Sequence, residues 1–338
     1  MIEAGIGIFF AFALIFLRVP LAIALGVVGF IGFGLLTSWN PALAMVALTM
    51  KSSVLSYYLA VIPLFVLMGN FLTAAGISRE LYAVAYAFLG HLRGGLSLAT
   101  VLACAGFSAV CGSSLATAAT MAKVSMPSMR EYGYDDRLAT GSIAAGGTLG
   151  ILIPPSVLLI IYGVMTESNI AALFAAGIIP GLLGMGGYML AVRYVVWRNP
   201  RIGPAGPKTD LAGRLSALKG VWAVLLLFFI VIGGIYLGFF TPTEAAGVGA
   251  AVSFLFALLR GRLSWRSLVH VLMDSAHTTA VMFAVLVGAT MFGEFINYTG
   301  MHQVFLDWVG TSSLSGWVII FAIVAIYLVL GCVMESLS

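Results

Sequence analysis

Long, uninterrupted apolar runs dominate the chain and predict membrane-spanning helices. A helical span needs about 20 mostly apolar residues. Candidate spans lie near residues 4–18, 21–37, 58–75, 170–196, 220–240, 243–259, 268–291 and 315–332. These runs lack the alternation of a membrane β-barrel strand, so the pattern predicts an all-α polytopic membrane protein.

The apolar pattern changes between residues 94 and 166. The chain stays apolar there, but turn-forming residues divide it into pieces too short to span alone. These interruptions are Gly112-Ser113-Ser114, Pro127, Gly146-Gly147, Gly150 and Pro154-Pro155. Irregular backbone at membrane depth persists only where it is buried in protein or lines a cavity. We therefore expect the functional centre in this region.

The composition supports a membrane protein and excludes several classes. Of the 338 residues, 62% are hydrophobic and 8% are charged, whereas soluble domains are about half apolar and about a quarter charged. Soluble enzymes, nucleic-acid binders and secreted disulfide modules are therefore excluded. Cys104, Cys111 and Cys332 have no metal-ligand spacing and are expected to be packing residues.

The basic residues predict an orientation. Residues 193–219 hold six lysines and arginines against one acid, and residues 260–266 hold three arginines. Two predicted spans separate these loops, so the loops share a side, which the positive-inside rule makes cytoplasmic. The turn at 241–244 is then outside.

A short motif recurs along the chain. The segments beginning Gly69-Asn70-Phe71 and Gly293-Glu294-Phe295 align at a constant offset of 224 residues, and each has a second glycine seven positions later. This indicates an internal duplication. The same offset moves the segment 111–114 to 335–338, so we expect a truncated second copy.

The first candidate for chemistry surrounds Gly112. Residues near 97–110 and 115–126 are predicted to form two half-helices, with Gly112 in a left-handed turn and Ser113 and Ser114 as N-caps. The tip of such a re-entrant hairpin offers free carbonyls to a cation and helix N–H groups to an anion. A simple small-residue helix contact explains the same sequence equally well.

The second candidate is the segment around Pro154-Pro155. The prolines remove the N–H partners of the Gly150 and Ile151 carbonyls. Free carbonyls in lipid need a partner, and sodium is a good candidate. An ordinary proline kink is the alternative, but paired prolines near several glycines favour a true break.

The charged residues near the predicted spans indicate which coupling ion a carrier with this sequence would use. His277 is a lone histidine near one predicted span end. The charged residues at or near the span ends are Lys123, Glu167, Glu244, Asp274, Glu294 and Glu335. A proton-coupled carrier usually has an acid or histidine relay within its spans. The sequence shows none, which favours sodium held by neutral oxygens. No catalytic constellation is evident, so an enzyme is not expected.

At these motifs, the chain resembles the large membrane subunit of tripartite ATP-independent periplasmic (TRAP) transporters, the DctM/SiaM type. The resemblance covers residues 5–338. Its most specific parts are residues 19–26, the tip at 111–117, Gly133-Tyr134-Asp135, the segment 149–156 and the segment 240–246.

The resemblance implies an elevator-type transporter with inverted repeats, re-entrant helical hairpins and broken helices. It implies a multi-pass protein of the bacterial cytoplasmic (inner) membrane that works with a small four-helix membrane subunit and a periplasmic substrate-binding protein. Sodium ions would be the coupling ions, with no other cofactor. The imported substrate would be an organic anion such as a C4-dicarboxylate or sialic acid. No nucleic acid is implied.

The resemblance also implies site residues. The first sodium site maps onto Ser108, Cys111, Gly150, Ile153 and Pro155. Cys111 replaces a common serine, which is harmless if the ligand is its carbonyl. Of the second sodium site, only Gly331 and Cys332 are expected in this sequence. The expected substrate-binding residues are Gly112, Ser113, Ser114, Thr117 and Thr148.

The expected organisation has five parts. They are N-terminal scaffold helices (1–57), a first repeat (58–197) with a hairpin at about 94–128 and a broken helix at about 138–166, a basic cytoplasmic loop (198–219), scaffold helices (220–267) and an incomplete second repeat (268–338). Two alternatives stay open: a stand-alone sodium/carboxylate symporter of the same broad fold, and a non-transporting truncated scaffold.

Overall fold

The computed structural model describes residues 2–312 and 315–333, and the regular secondary structure of this part of the chain is entirely helical, with no β-strand. In chain order, the helices are α1 (Ile2–Phe16), α2 (Leu21–Leu36), α3 (Trp39–Val54), α4 (Val61–Ala74), α5 (Ile77–Leu89), α6 (Gly95–Cys111), α7 (Ser114–Glu131), α8 (Asp136–Thr148), α9 (Val157–Met165), α10 (Ile170–Arg198), α11 (Leu211–Leu218), α12 (Trp222–Phe228), α13 (Gly234–Tyr236), α14 (Pro242–Leu259), α15 (Trp265–Tyr298), α16 (Met301–Thr311) and α17 (Gly316–Val333). The predicted all-α class is confirmed.

Several helices are suited to crossing a membrane. Within the described residues, α10, α14 and α15 are each long and apolar enough to do so, and two bent helix pairs raise this number to five. One bent pair joins α11 to the segment Trp222–Tyr236, within which Phe229–Gly233 forms a π-helical turn. Helix α3 was not among the predicted spans, because Asn40, Lys51 and neighbouring serines dilute its apolar character.

The described residues form two compact units. The terminal unit contains the residues up to Ser56 and from His277 onward, and the central unit is Tyr57–Ala276. In the terminal unit, glycines allow helices to touch: a Cβ added to Gly29 would lie 2.6 Å from the Met291 carbonyl carbon, and one on Gly32 would lie 2.6 Å from the Phe295 ring.

In the central unit, α6 and α7 form a hairpin that begins and ends on one side. The amide of Gly94, just before α6, donates to the Gly203 carbonyl (2.9 Å). The amide of Asp135, just after α7, donates to the adjacent Ile202 carbonyl (3.0 Å). Because both ends of the hairpin reach the same short stretch of chain, α6 and α7 return to where they started.

The helices of the hairpin are longer than predicted. Helix α6 has 17 residues and α7 has 18. The predicted interruption at Gly112 is present, but Pro127 lies inside α7, which continues to Glu131. A proline inside a helix removes one backbone hydrogen bond without necessarily ending the helix.

Gly146 and Gly147 were also predicted as breaks, and this was wrong: both lie inside α8. A Cβ on Gly146 would lie 2.8 Å from the Cys104 sulfur, and one on Gly147 would lie 2.7 Å from the Ala118 Cβ. The two glycines therefore let α8 lie directly against the hairpin.

The second helical break is centred on the two prolines. After α8, a 3₁₀ turn covers Leu149–Ile151, and α9 begins only at Val157. The peptide bond between Pro154 and Pro155 is cis. Residues 152–156 thus form an irregular segment between two helices.

Helix α4 packs against α14 in the central unit. The rings of Phe71 and Phe254 meet edge to face at 5.4 Å. Just after α14, Arg260 donates to the Glu80 carboxylate of α5 at 2.7 Å and to the Ala75 carbonyl at the end of α4 at 3.5 Å. These contacts fix α4 against α14.

Candidate functional site

The tip of the hairpin is a two-residue link between α6 and α7. Gly112 has φ 65°, in the left-handed region that favours glycine, and its amide donates to the Ser108 carbonyl at 3.1 Å. Ser113 is the N-cap of α7, and its Oγ accepts from the Ala116 amide at 3.4 Å. Ser114 was also predicted as a cap, but it is the first helical residue of α7.

The tip lies directly against the irregular segment of the broken helix. The Val157 amide donates to the Gly112 carbonyl at 3.3 Å. A Cβ added to Gly112 would lie 2.8 Å from the Pro155 carbonyl oxygen, and one added to Gly150 would lie 2.7 Å from the Ser113 carbonyl oxygen. The backbone of the hairpin tip is therefore in direct contact with the backbone of the broken helix. The structure brings together two motifs that lie about 40 residues apart in sequence.

Helix α4 completes the surroundings of the tip. A Cβ on Gly69 would lie 3.1 Å from the Cys111 Cα. The next residue, Asn70, donates through Nδ2 to the Ser275 hydroxyl of α15 at 2.8 Å. We did not predict Gly69 or Asn70 as site residues, although both belong to the repeated motif and that repeat was the available signal.

Two buried hydroxyl groups flank the tip without a hydrogen bond. Ser108, in the last turn of α6, and Thr117, in the first turn of α7, are both 0% exposed, and their side-chain oxygens have no hydrogen-bond partner among the described residues. Thr117 lies beside the Cys111 thiol, which is a weak hydrogen-bonding group. A buried unsatisfied hydroxyl costs about 1–3 kcal/mol. The Ser108 hydroxyl oxygen is therefore one candidate ligand for a cation at the tip.

The two carbonyls whose helical donors are replaced by prolines differ in whether another group donates to them. We expected the Ile151 carbonyl to be free, but the buried Ser156 hydroxyl donates to it at 2.8 Å. The Gly150 carbonyl lacks its usual helical donor four residues later, because Pro154 has no N–H. The buried Gly150 and Pro155, and the half-buried Ile153, lie in this same turn.

The remaining predicted residues lie elsewhere. The Thr148 hydroxyl is exposed and shares a 2.9 Å hydrogen bond with Tyr188 on α10. Gly331 and the exposed Cys332 lie in α17 of the terminal unit. Glu335 and the expected second tip at 335–338 lie outside the described residues.

The oxygens at the tip are all neutral. They are backbone carbonyls and hydroxyls, and within residues 2–312 and 315–333 no three His, Cys, Asp or Glu side chains come together. Calcium and magnesium sites normally include carboxylates. A neutral set of oxygens therefore suits a monovalent cation better than a divalent one.

Comparison with known proteins gives a consistent result. The family model described as the tripartite ATP-independent periplasmic transporter, DctM component, matches residues 8–338. A C4-dicarboxylate TRAP transporter large permease protein DctM of Pseudomonas aeruginosa is 39% identical over 82% of this chain and 65% of its own length. The chain thus spans less than two thirds of that relative.

Two further relatives carry other substrate names. The sialic acid TRAP transporter large permease protein SiaM of Vibrio cholerae is 34% identical over 96% of this chain and 75% of its own length. The isethionate TRAP transporter permease protein DctMQ of Oleidesulfovibrio alaskensis is 32% identical over 95% of this chain and 50% of its own length.

Proposed function

The chain belongs to the DctM family of tripartite ATP-independent periplasmic transporters, and from this premise we propose that it acts in sodium-driven import of an organic anion. The family consists of multi-pass membrane permeases. The proposal concerns the coupling ion, the substrate class and the partners.

The buried, unpartnered hydroxyl of Ser108 at the hairpin tip is the main support for sodium coupling. In the proposed site, the Ser108 hydroxyl and the carbonyls of Cys111, Gly150, Ile153 and Pro155 hold the ion. Glycine at 112 and 150 allows the two backbones to come close enough for shared coordination. Bound sodium would thus join the hairpin to the broken helix.

The proposed anion site is the N-terminus of α7. Ser113 satisfies one of the first amides of this helix, and in the proposal other amides of the first turn bind the anionic group. The partial positive charge of a helix N-terminus favours a carboxylate or sulfonate. The substrates named for the relatives fit this chemistry, and Ser113, Ser114 and Thr117 are the residues proposed to contact the anionic group.

We place the protein in the cytoplasmic membrane of a bacterium, beside a small four-helix membrane subunit and a periplasmic binding protein. The tripartite family name supports this assembly. An elevator motion of the hairpin and broken helix relative to the scaffold helices is part of the proposal.

The test is uptake into proteoliposomes containing the chain and its small membrane subunit. Labelled succinate, sialic acid and isethionate are supplied with or without the binding protein, under a sodium gradient, a potassium gradient or a proton gradient. We expect uptake of one of the three, only with sodium and only with the binding protein.

Equal uptake under a pure proton gradient would overturn sodium coupling. Sodium-driven uptake without a binding protein would instead identify a stand-alone symporter. No uptake of any of the three under any gradient would count against transport of this substrate class.

A further inference from the structure

The base of the hairpin is closed by a short stretch of chain after α10. This strap, residues 202–206, makes three backbone hydrogen bonds to the central unit. Its residues accept from Gly94 (2.9 Å) and Asp135 (3.0 Å), and its Gly206 amide donates to the Gly90 carbonyl (2.9 Å). The strap therefore contacts the start of α6, the start of α8 and the end of α5.

Tyr134 joins the strap to the hairpin through its side chain. The residue is 5% exposed. Its hydroxyl accepts from the Leu96 amide in the first turn of α6 (3.1 Å) and donates to the Pro204 carbonyl of the strap (2.8 Å). The first amides of a helix need partners, and the N-cap of α6 is Gly94, which has no side chain to supply one. The Tyr134 hydroxyl, 38 residues further along the chain than Leu96, supplies the missing partner.

The packing around the strap leaves little space. A Cβ added to Gly203 would lie 3.1 Å from the Gly94 Cα, 3.2 Å from Leu138 Cδ2 and 3.0 Å from Val196 Cγ2. Tyr134 packs in a buried cluster with Leu96, Met129 and Ala139. A larger residue at 203 would separate the strap from the hairpin.

We propose that Tyr134 is a positioning residue for transport, because with the strap it locks α6, α7 and α8 into one moving body. The Val157–Gly112 hydrogen bond joins hairpin and broken helix at the tip, and the strap joins them at the base. Movement of the tip by sodium or substrate then displaces all three helices together. This inference rests on the proposed function.

The first test compares Tyr134→Phe with Tyr132→Phe. Each variant loses one hydroxyl, but the hydrogen bond that the Tyr132 hydroxyl accepts from Tyr86 (3.1 Å) is exposed. In Tyr134→Phe we expect amide exchange at residues 94–98 and 202–206 to rise about fivefold, the equivalent of one net hydrogen bond. Exchange at the tip should change less, and Tyr132→Phe should match the wild type.

Transport kinetics separate positioning from general stability. For the substrate found to be taken up, Tyr134→Phe should lower the maximal sodium-driven rate about fivefold, while the sodium concentration for half-maximal uptake stays unchanged. A merely destabilised protein would lose rate in proportion to the folded amount, so rates are divided by folded protein measured by size-exclusion chromatography. A rate per folded protein equal to that of Tyr132→Phe would overturn the proposal.

A second pair of variants tests the strap without changing Tyr134. Gly203→Ala should reproduce the increased exchange and reduced rate, whereas Gly187→Ala, where nothing lies within 4 Å of the added Cβ, should not. If Tyr134→Phe fails to fold, this pair of glycine variants tests the proposal instead. Wild-type exchange at 94–98 in Gly203→Ala would refute the proposed role of Tyr134 and the strap even if the wild type shows no uptake, so the two proposals fail separately.

Discussion

At the scale of single residues, the site depends on glycines, whose lack of a side chain lets two backbone segments lie in contact. Gly112 and Gly150 approach the opposite backbone so closely that a methyl group on either would lie within 3 Å of a carbonyl oxygen. Gly112 additionally has a positive φ. Its role therefore combines a turn with a close contact, and these two requirements can be separated experimentally.

Gly112→Ala should be more harmful than Gly133→Ala. Both residues have a positive φ (65° and 71°), but nothing lies within 4 Å of a Cβ on Gly133. Backbone strain costs about 1–3 kcal/mol at either position, and only Gly112→Ala also pushes against Pro155. Thermal unfolding of the two purified variants in the same detergent measures the difference. Equal melting temperatures would show that the tip is not tightly packed.

Ser156→Ala should destabilise the broken helix. It removes the hydroxyl that donates to the Ile151 carbonyl and caps α9 through Leu159. The expected loss is about 1–2 kcal/mol. Ser38→Ala is the matched control, because Ser38 is also an N-cap residue but makes no side-chain cap hydrogen bond. Thermal unfolding checks the result, and an equal effect of the two changes would contradict the assigned role of Ser156.

At the scale of helices, the local signals predict breaks better than contacts. Gly112-Ser113-Ser114 and Pro154-Pro155 each interrupt a helix, because a left-handed turn or two missing amides act within a few residues. Gly146 and Gly147 look similar in sequence but serve as contact points inside α8. Which role a glycine has depends on the helix beside it, and a single sequence does not show that neighbour. The repeated motif marks Gly69, but it does not show that Gly69 touches the tip, and this contact was missed.

The N-terminus of α7 offers a test of the proposed anion site. Ser114→Asp places a carboxylate in the first turn of the helix, where the helix dipole stabilises negative charge. The protein should fold, but the fixed charge should repel an anionic substrate and reduce uptake at least tenfold, about the effect of 1.4 kcal/mol on binding. Ser114→Asn is the uncharged control. Uptake and thermal stability are measured together.

A folded, transport-competent Ser114→Asp protein would contradict this placement of the anion. If Ser114→Asp does not fold while Ser114→Asn does, the position is a packing contact in which a charge is buried.

At the scale of the whole molecule, hydrophobicity alone predicts the class, while the grouping of helices depends on long-range contacts. The all-helical architecture follows from the apolar runs. The association of α4 with α14 and α15 does not, because it is produced by side chains such as Asn70 and Ser275 that are 205 residues apart. The two motifs of the candidate site could therefore be predicted from the sequence, but the helix that packs beside them could not.

The central claim is that the hairpin tip and the broken helix bind one sodium ion together. Hydrogen–deuterium exchange of the purified chain tests this most directly, in NaCl or in KCl at equal ionic strength. We predict that sodium, and not potassium, slows exchange in residues 106–118 and 149–159 together, and that Ser108→Ala weakens this effect. Identical exchange of both segments in the two salts would contradict the claim.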